Sequence, residues 1–176
     1  MSEYAVVTAP QTVRLERLLP GPVERIWAWL TESEKRGKWL APGEMDLRVG
    51  GTVTLNFLHA DLSSEKESPE KYKAMECGHT MQGVITRCEP PHVLAYTWGM
   101  PQDSEVTFEL SASGDKTLLV VTHVRLGSRA SMLNVAAGWH VHTGLLEDQL
   151  NGVAPRPFWT THAQLEAEYG RRFADE

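Results

Sequence analysis

The side chains of this sequence best suited to chemistry are its histidines and tryptophans. His123 follows Leu119 and Val121 at alternating positions, so a strand there turns all three towards the interior. A buried imidazole in an apolar wall must find a partner or stay neutral, which makes His123 a candidate ligand contact or acid–base group. The ordinary alternative is a core histidine bonded to a neighbouring threonine or to backbone. His59 closes the alternating run Val53, Leu55, Phe57 and is expected either at a pocket mouth or solvated at a strand end. His140 and His142 look like a metal pair, but residues two apart on a helix point in different directions. Zinc needs three or four converging ligands, and no Cys or His spacing supplies them, so neither metal nor cofactor is expected. The sequence has no Gly-x-Ser-x-Gly elbow and no Gly-rich phosphate loop, and Cys88 has no basic neighbour to make a thiolate. Among the tryptophans, Trp98 and Trp139 are candidates to stack on a flat ligand, with Trp39 a third.

Those residues need elements to place them. Gln11 to Leu19 alternates as a first strand, with Val13 and Leu15 on one side. Pro22 suits the first turn of a helix in which Val23, Ile26, Trp27 and Leu30 form a buried stripe and Trp29 falls outside it. Thr31 with Glu34 has capping-box spacing and predicts a second short helix running towards Trp39. Met45, Leu47 and Val49 alternate, then come Gly50-Gly51, then Val53 to His59 alternates again. That pattern predicts two antiparallel strands about a tight turn. The polar stretch from Ala60 to Gly78 is expected to be a long mobile loop outside the core, closing over the site or hanging free. Strands follow at about His79 to Cys88 and Val93 to Trp98, around a turn at Pro90-Pro91. Beyond a turn over Gly99 to Asp103, further strands run through Val106 to Leu110 and Leu119 to His123. Val135, Trp139, His142 and Leu146 then share a helical stripe ended by Asn151-Gly152, and Thr161 with Gln164 predicts a tail helix over about 161–173.

This order predicts an α+β fold, a single domain over 1–176, with an antiparallel sheet curled around a long C-terminal helix. A helix about 10 Å across cannot fill a wide twisted sheet, so a mostly apolar pocket between the two is expected. Its expected lining is Trp39, Phe57, His59, Met81, Trp98, Phe108, His123, Trp139, His142 and Leu146. Charge excludes other partners. Lys+Arg 17 against Asp+Glu 23 leaves a net charge of -6, which suits neither nucleic acid nor an anionic membrane surface. No apolar run reaches the length of a membrane span, and Met1-Ser2-Glu3-Tyr4 lacks the features of a secretory signal. With only Cys77 and Cys88, the chain is expected in a reducing cytoplasm.

An ordered set of segments adds a family likeness. Pro22-Val23-Glu24-Arg25-Ile26-Trp27, Val49-Gly50-Gly51-Thr52, Gly83 through Glu89-Pro90-Pro91-His92-Val93-Leu94, and Tyr96-Thr97-Trp98 come in that order. They are followed by Val106-Thr107-Phe108-Glu109-Leu110, Thr122-His123, Gly138-Trp139 and Leu145-Leu146. Over roughly Thr12 to Gly152 this resembles the family of homologues of the activator of heat-shock-protein-90 ATPase, within the START-like helix-grip superfamily. The resemblance implies a curled sheet gripping a C-terminal helix around a hydrophobic cavity. That superfamily includes lipid and polyketide binders, cyclases and stress-linked proteins. The eukaryotic co-chaperone also carries a separate N-terminal domain with its chaperone-stimulating motif, for which this chain is expected to have no room.

The leading expectation is therefore binding of a small hydrophobic or aromatic ligand, with His123 and His142 orienting its polar groups. A second is a cyclase- or hydratase-type enzyme in which His123 or His59 moves protons. A third is an interaction module, a homodimer or a chaperone contact, through an apolar patch near Trp29 or the tail helix.

Overall fold

The alternating middle of the chain builds one sheet. A computed structural model describes residues 1–99 and 103–174. Its strands are Val6–Ala9 (β1), Thr12–Pro20 (β2), Thr52–Phe57 (β3), His79–Glu89 (β4), Val93–Trp98 (β5), Ser104–Ser113 (β6) and Lys116–Val124 (β7). They form a seven-stranded sheet in the order β1-β2-β7-β6-β5-β4-β3, every neighbouring pair antiparallel. Register lines up the buried face in rows. Val13, His123 and Val106 lie side by side, as do Leu15, Val121, Phe108 and Leu94.

The helices are Val23–Thr31 (α1), Ser33–Arg36 (α2), Arg129–Leu150 (α3) and Phe158–Arg172 (α4). The long α3 lies against β2 on one side and α4 on the other, which makes this a helix-grip fold. From Trp139 to Leu146 every residue of α3 is buried. Its polar side chains therefore find partners inside, since a buried polar group left unpaired costs about 1–3 kcal/mol. His140 Nδ1 lies 2.8 Å from the Tyr169 hydroxyl, and Thr143 donates back to the Trp139 carbonyl at 2.6 Å. Asp148 accepts from the backbone N–H, Nε and Nη2 of Arg156 at 2.8–2.9 Å.

Several expectations need correction. Gln11 does not open the first strand: it sits at φ 57 in the turn between β1 and β2. β1 itself was not anticipated, because its largely exposed residues carry no alternation to read. The Thr31–Glu34 capping box does not form. Thr31 ends α1, its hydroxyl donating to the Trp27 carbonyl at 2.9 Å, and α2 has only four residues. Arg36, 1 % exposed, organises this segment instead. Its guanidinium donates to the carbonyls of Leu30, Thr31, Ala41 and Gly43, and burial lowers its pKa. Trp27 is only half-buried rather than core.

Met45 to Val49 is not a strand. Residues 42–46 run beside β3 through Asn56 N–H to Pro42 O and Thr54 N–H to Glu44 O, with one bridge at Met45. Leu47 and Val49 are exposed, and Gly50, at φ +86, turns the chain back to pair with Ile85. His59 lies beyond β3, in a 3-10 turn over His59–Asp61, and it is buried rather than solvated. The turn expected over Gly99 to Asp103 has residues 100–102 outside the described set.

The polar 60–78 stretch is no free loop. It buries Leu62, Ser63 and Ser68, forms a second 3-10 turn over Glu70–Met75, and fastens to α4. That helix begins at Phe158, three residues before the predicted Thr161–Gln164 box, and Pro157 at its N-cap offers no side-chain cap. The missing acceptors come from far away in sequence. Ser63 Oγ accepts from the Phe158 N–H at 3.1 Å, and Glu65 accepts from the Thr160 N–H at 2.9 Å and from its hydroxyl. A carboxylate at a helix N-terminus also meets the positive end of the helix dipole. Glu65→Ala is expected to destabilise the protein by about 0.5–2 kcal/mol, the usual cost of losing a cap. Asp148→Ala, which strands the Arg156 guanidinium, should cost about 1.5–3 kcal/mol, and urea unfolding of both variants measures the difference.

Candidate functional site

Between the concave face of the sheet, α3 and α4 lies a cavity with about 180 Å³ open to the centres of water-sized molecules. Three strand ends supply Phe57, Met81 and Trp98. One stripe of α3 supplies Val135, Gly138, Trp139 and His142, at the three- and four-residue spacing of a helix face. Phe158, Trp159 and His162 come from the start of α4, Tyr72 and Met75 from the 60–78 segment, Leu40 from beyond α2, and His59 from its 3-10 turn. The exposed His79 and Asn134 mark the mouth.

The wall is aromatic and mutually packed. Trp98 and Trp139 meet edge to face at 5.1 Å, Phe57 stacks on His79 at 4.9 Å, and Tyr72 stacks on Trp159 at 5.1 Å. His59 lies 4.7 Å from Phe158 and 5.0 Å from Trp159. Gly138 interrupts this wall. A Cβ placed on it would meet nothing within 4 Å, so the helix leaves open space where any other residue would put a side chain.

The electrostatics of the lining follow from burial. His142 Nδ1 lies 2.7 Å from the Trp39 carbonyl oxygen. A carbonyl only accepts, so Nδ1 carries the proton and Nε2 keeps its lone pair. Burial, followed by the nearby His59, pushes the His142 pKa down to about 3 despite that bond. His59 is 9 % exposed, and among the described residues its Nδ1 has no hydrogen-bond partner. Burial, with His79 and His162 adding to it, holds its pKa near 4. The rings of His59 and His142 stand 6.0 Å apart. His162 is lowered mainly by burial, against the nearby Glu166 carboxylate that favours its charged form. Glu166 is itself engaged by the Tyr72 hydroxyl and by Lys71 Nζ at 3.0 Å, tying the 60–78 segment to α4 a second time. Among the described residues the lining contains no carboxylate, lysine or arginine.

Of the residues expected from sequence, Phe57, His59, Met81, Trp98, Trp139 and His142 line the cavity, whereas Trp39, Phe108, His123 and Leu146 do not. Trp39 is fully buried behind the wall, donating Nε1–H to the Trp29 carbonyl at 2.9 Å while its own carbonyl holds His142. Phe108 packs edge to face on Trp139 at 5.4 Å, and Leu146 is completely enclosed. His123 is a satisfied core histidine. Trp139 Nε1–H donates to its Nδ1 at 3.1 Å, so Nε2 carries the proton and reaches Ser104 Oγ at 3.0 Å. Burial then holds its pKa near 4. His140 faces away, towards Tyr169. Sequence reasoning missed Leu40, Asn134, Val135 and Gly138 as well as Tyr72, Met75, His79, Phe158, Trp159 and His162. The signal for the last three was the aromatic-rich start of α4, Phe158-Trp159 with His162 one turn on. Among the described residues, no group of three or more His, Cys, Asp or Glu is placed to hold a metal ion, and no helix is long and apolar enough to cross a membrane.

The same fold recurs in solved structures. A protein of Bordetella parapertussis, solved in solution, is 48% identical with a TM-score of 0.81, over 94% of this chain and 87% of that one. CalU16 of Micromonospora echinospora, 24% identical with a TM-score of 0.70 over 94% of this chain and 89% of that one, shares the fold. So does a conserved protein of unknown function from Enterococcus faecalis, at 21% identity and a TM-score of 0.67, over 95% of this chain and 88% of that one. No curated protein matches the chain. The model of the family described as Activator of Hsp90 ATPase homolog 1-like protein matches residues 20–151, so the chain belongs to that family, within the START-like helix-grip superfamily.

Proposed function

We propose that the protein binds a small aromatic ligand, about one ring in size, in the cavity beneath the 60–78 segment, and that it does so in the cytoplasm. The observation that carries this reading is Gly138. Glycine within a helix costs about 1 kcal/mol relative to alanine, so its place in the middle of α3 works against the stability of the helix. The gain is unoccupied space among aromatic side chains. A dry apolar cavity of about 150 Å³ is known to take benzene, and 180 Å³ leaves room for a ring with one small substituent. Flat aromatic walls favour a flat guest, each ring pair contributing about 0.5–1.5 kcal/mol beyond area burial. The uncharged lining favours a neutral one, because a buried ion without a counter-charge is heavily penalised.

Calorimetric or NMR titration with toluene tests the reading directly: saturable binding to the native protein supports it, and indifference sinks it. Gly138→Leu should fill the cavity from within. It is expected to keep or raise thermal stability while abolishing toluene binding, a pairing that separates a blocked site from a misfolded chain.

The buried imidazoles also predict a pH dependence. His59, His123, His140 and His142 have native pKa values pushed to about 4, 4, 3 and 3, all below the ordinary 6.5. Between those values and 6.5 the unfolded chain binds more protons than the native one, so stability rises with pH. It should be fully present above about pH 7 and fall steeply from pH 6.5 towards 4, by up to about 1.4 kcal/mol per pH unit for each histidine in its window. Urea midpoints at pH 7.5, 6 and 5 measure this; a flat profile would mean these rings are not buried neutral.

A further inference from the structure

We infer that the polar end of the ligand is a neutral hydroxyl group, held between His142 and His59, so that the protein selects phenol-type or alcohol-bearing rings over otherwise equal hydrocarbons, ethers and carboxylates. This rests on the cavity-binding reading above and deepens it.

Two independent observations converge on one chemical group. The first is a fixed tautomer. The Trp39 carbonyl occupies Nδ1–H of His142, and the only nitrogen this ring can offer a guest is the Nε2 lone pair. It therefore asks for a donor. The second is an unmet need. His59 is 9 % exposed and lines the same cavity, and its Nδ1 is enclosed with no partner among the described residues, so the ring must turn for a guest to meet that nitrogen. A neutral imidazole holds one N–H and one lone pair, and burial keeps this ring neutral. The ring centroids are 6.0 Å apart, and Phe158 packs against both, at 4.7 Å and 5.1 Å.

A hydroxyl is the smallest group that donates and accepts at once, so it can give its proton to His142 Nε2 and take a hydrogen bond from His59 N–H. An ether or ketone accepts only and leaves the His142 lone pair unmet. A carboxylate accepts only and brings a charge, with no cation among the described residues of the wall to meet it. A methyl group leaves both imidazoles unpaired. The aromatic groups around the pair exclude competing water once a ring is seated, which is the condition under which such a bond discriminates.

The test is a matched series, phenol, toluene, anisole and benzoate, titrated at pH 7 by calorimetry or protein-observed NMR. Phenol should bind about threefold to tenfold more tightly than toluene, the range one neutral hydrogen bond supports. Anisole should gain nothing over toluene, and benzoate should be rejected. His59→Phe keeps a ring of similar shape and removes the unpartnered nitrogen, so the ratio of phenol to toluene affinity is expected to fall in it, whatever the replacement does to toluene affinity alone. His142→Phe should lose the rest; if it fails to fold, the His59→Phe result decides alone. Equal affinity for phenol and toluene, an anisole gain matching that of phenol, or a preference untouched in His59→Phe would each overturn the hydroxyl assignment while leaving the cavity reading intact. Failure of the whole series, toluene included, would instead overturn the cavity reading and this inference with it.

Discussion

A helix clasped between a sheet and a second helix has no face to give to water, and the character of this molecule follows from that. From Trp139 to Leu146 α3 is buried without a break, yet it carries His140, His142, Thr143 and, one turn on, Asp148. Each had to be tied to a different layer. His140 is tied to α4 through Tyr169, His142 to the segment after α2 through the Trp39 carbonyl, Asp148 to the α3–α4 connection through Arg156, and Thr143 to its own helix. These bonds contribute little net stability one by one, about 0.5–1.5 kcal/mol for the neutral ones. Their effect is to fix rotation and register, because sliding α3 by a residue would leave several buried polar groups unpaired together. Gly144 belongs to the same arrangement: a Cβ there would fall within 2.4 Å of the Arg156 guanidinium that Asp148 holds.

With α3 locked in place, the cavity follows from what the helix omits. The stripe Val135, Gly138, Trp139, His142 faces the sheet ends and α4, and its second member has no side chain. A sealed, dry void of this size would cost about 4 kcal/mol at roughly 24 cal/mol per Å³. The structure meets that cost at the rim, where exposed His79 and Asn134 leave a mouth and the 60–78 segment covers the remainder. That cover is fastened at three points to α4, through Ser63, Glu65 and the Tyr72–Glu166–Lys71 group. The cap of a helix and the roof of a pocket are thus one element.

How far the sequence could be read depended on the range of the interactions. β4 to β7 and α3 were legible because each alternates or repeats over many residues against a single apolar face, as in Val106-Phe108-Leu110 opposite Leu119-Val121-His123. Of the site, Met81, Trp98, Trp139 and His142 were legible for the same reason, and Phe57 from the alternation of β3, whereas His59 lies past the end of that strand in its 3-10 turn. What failed was local punctuation overruled from a distance. Thr31–Glu34 and Thr161–Gln164 have capping-box spacing, but a buried Arg36 and a remote Glu65 supply the hydrogen bonds actually made. The 60–78 segment is largely exposed, as its polarity suggested, but it is not free: Glu65 and Lys71 reach α4. Exposure is not freedom when the partners that hold a segment lie about ninety residues away. His123 misled in the opposite sense: its face was read correctly, and the indole N–H of Trp139, one helix away, removes it from the cavity.

The same burial decides what the imidazoles of the cavity wall can do with a proton. A general acid or base works best with a pKa near the ambient pH. His142 at about 3 and His59 at about 4 are far below that. With its pKa held near 3 by burial, the His142 ring stays neutral at pH 7. Among the described residues no carboxylate stands on the cavity wall to favour the protonated form, since Glu166 lies behind His162 and is engaged by Tyr72 and Lys71. As hydrogen-bond partners the same two rings lose nothing by being neutral, and the fixed tautomer of His142 limits what its free nitrogen accepts. The arrangement that weakens these imidazoles as proton carriers is the one that suits them to recognition.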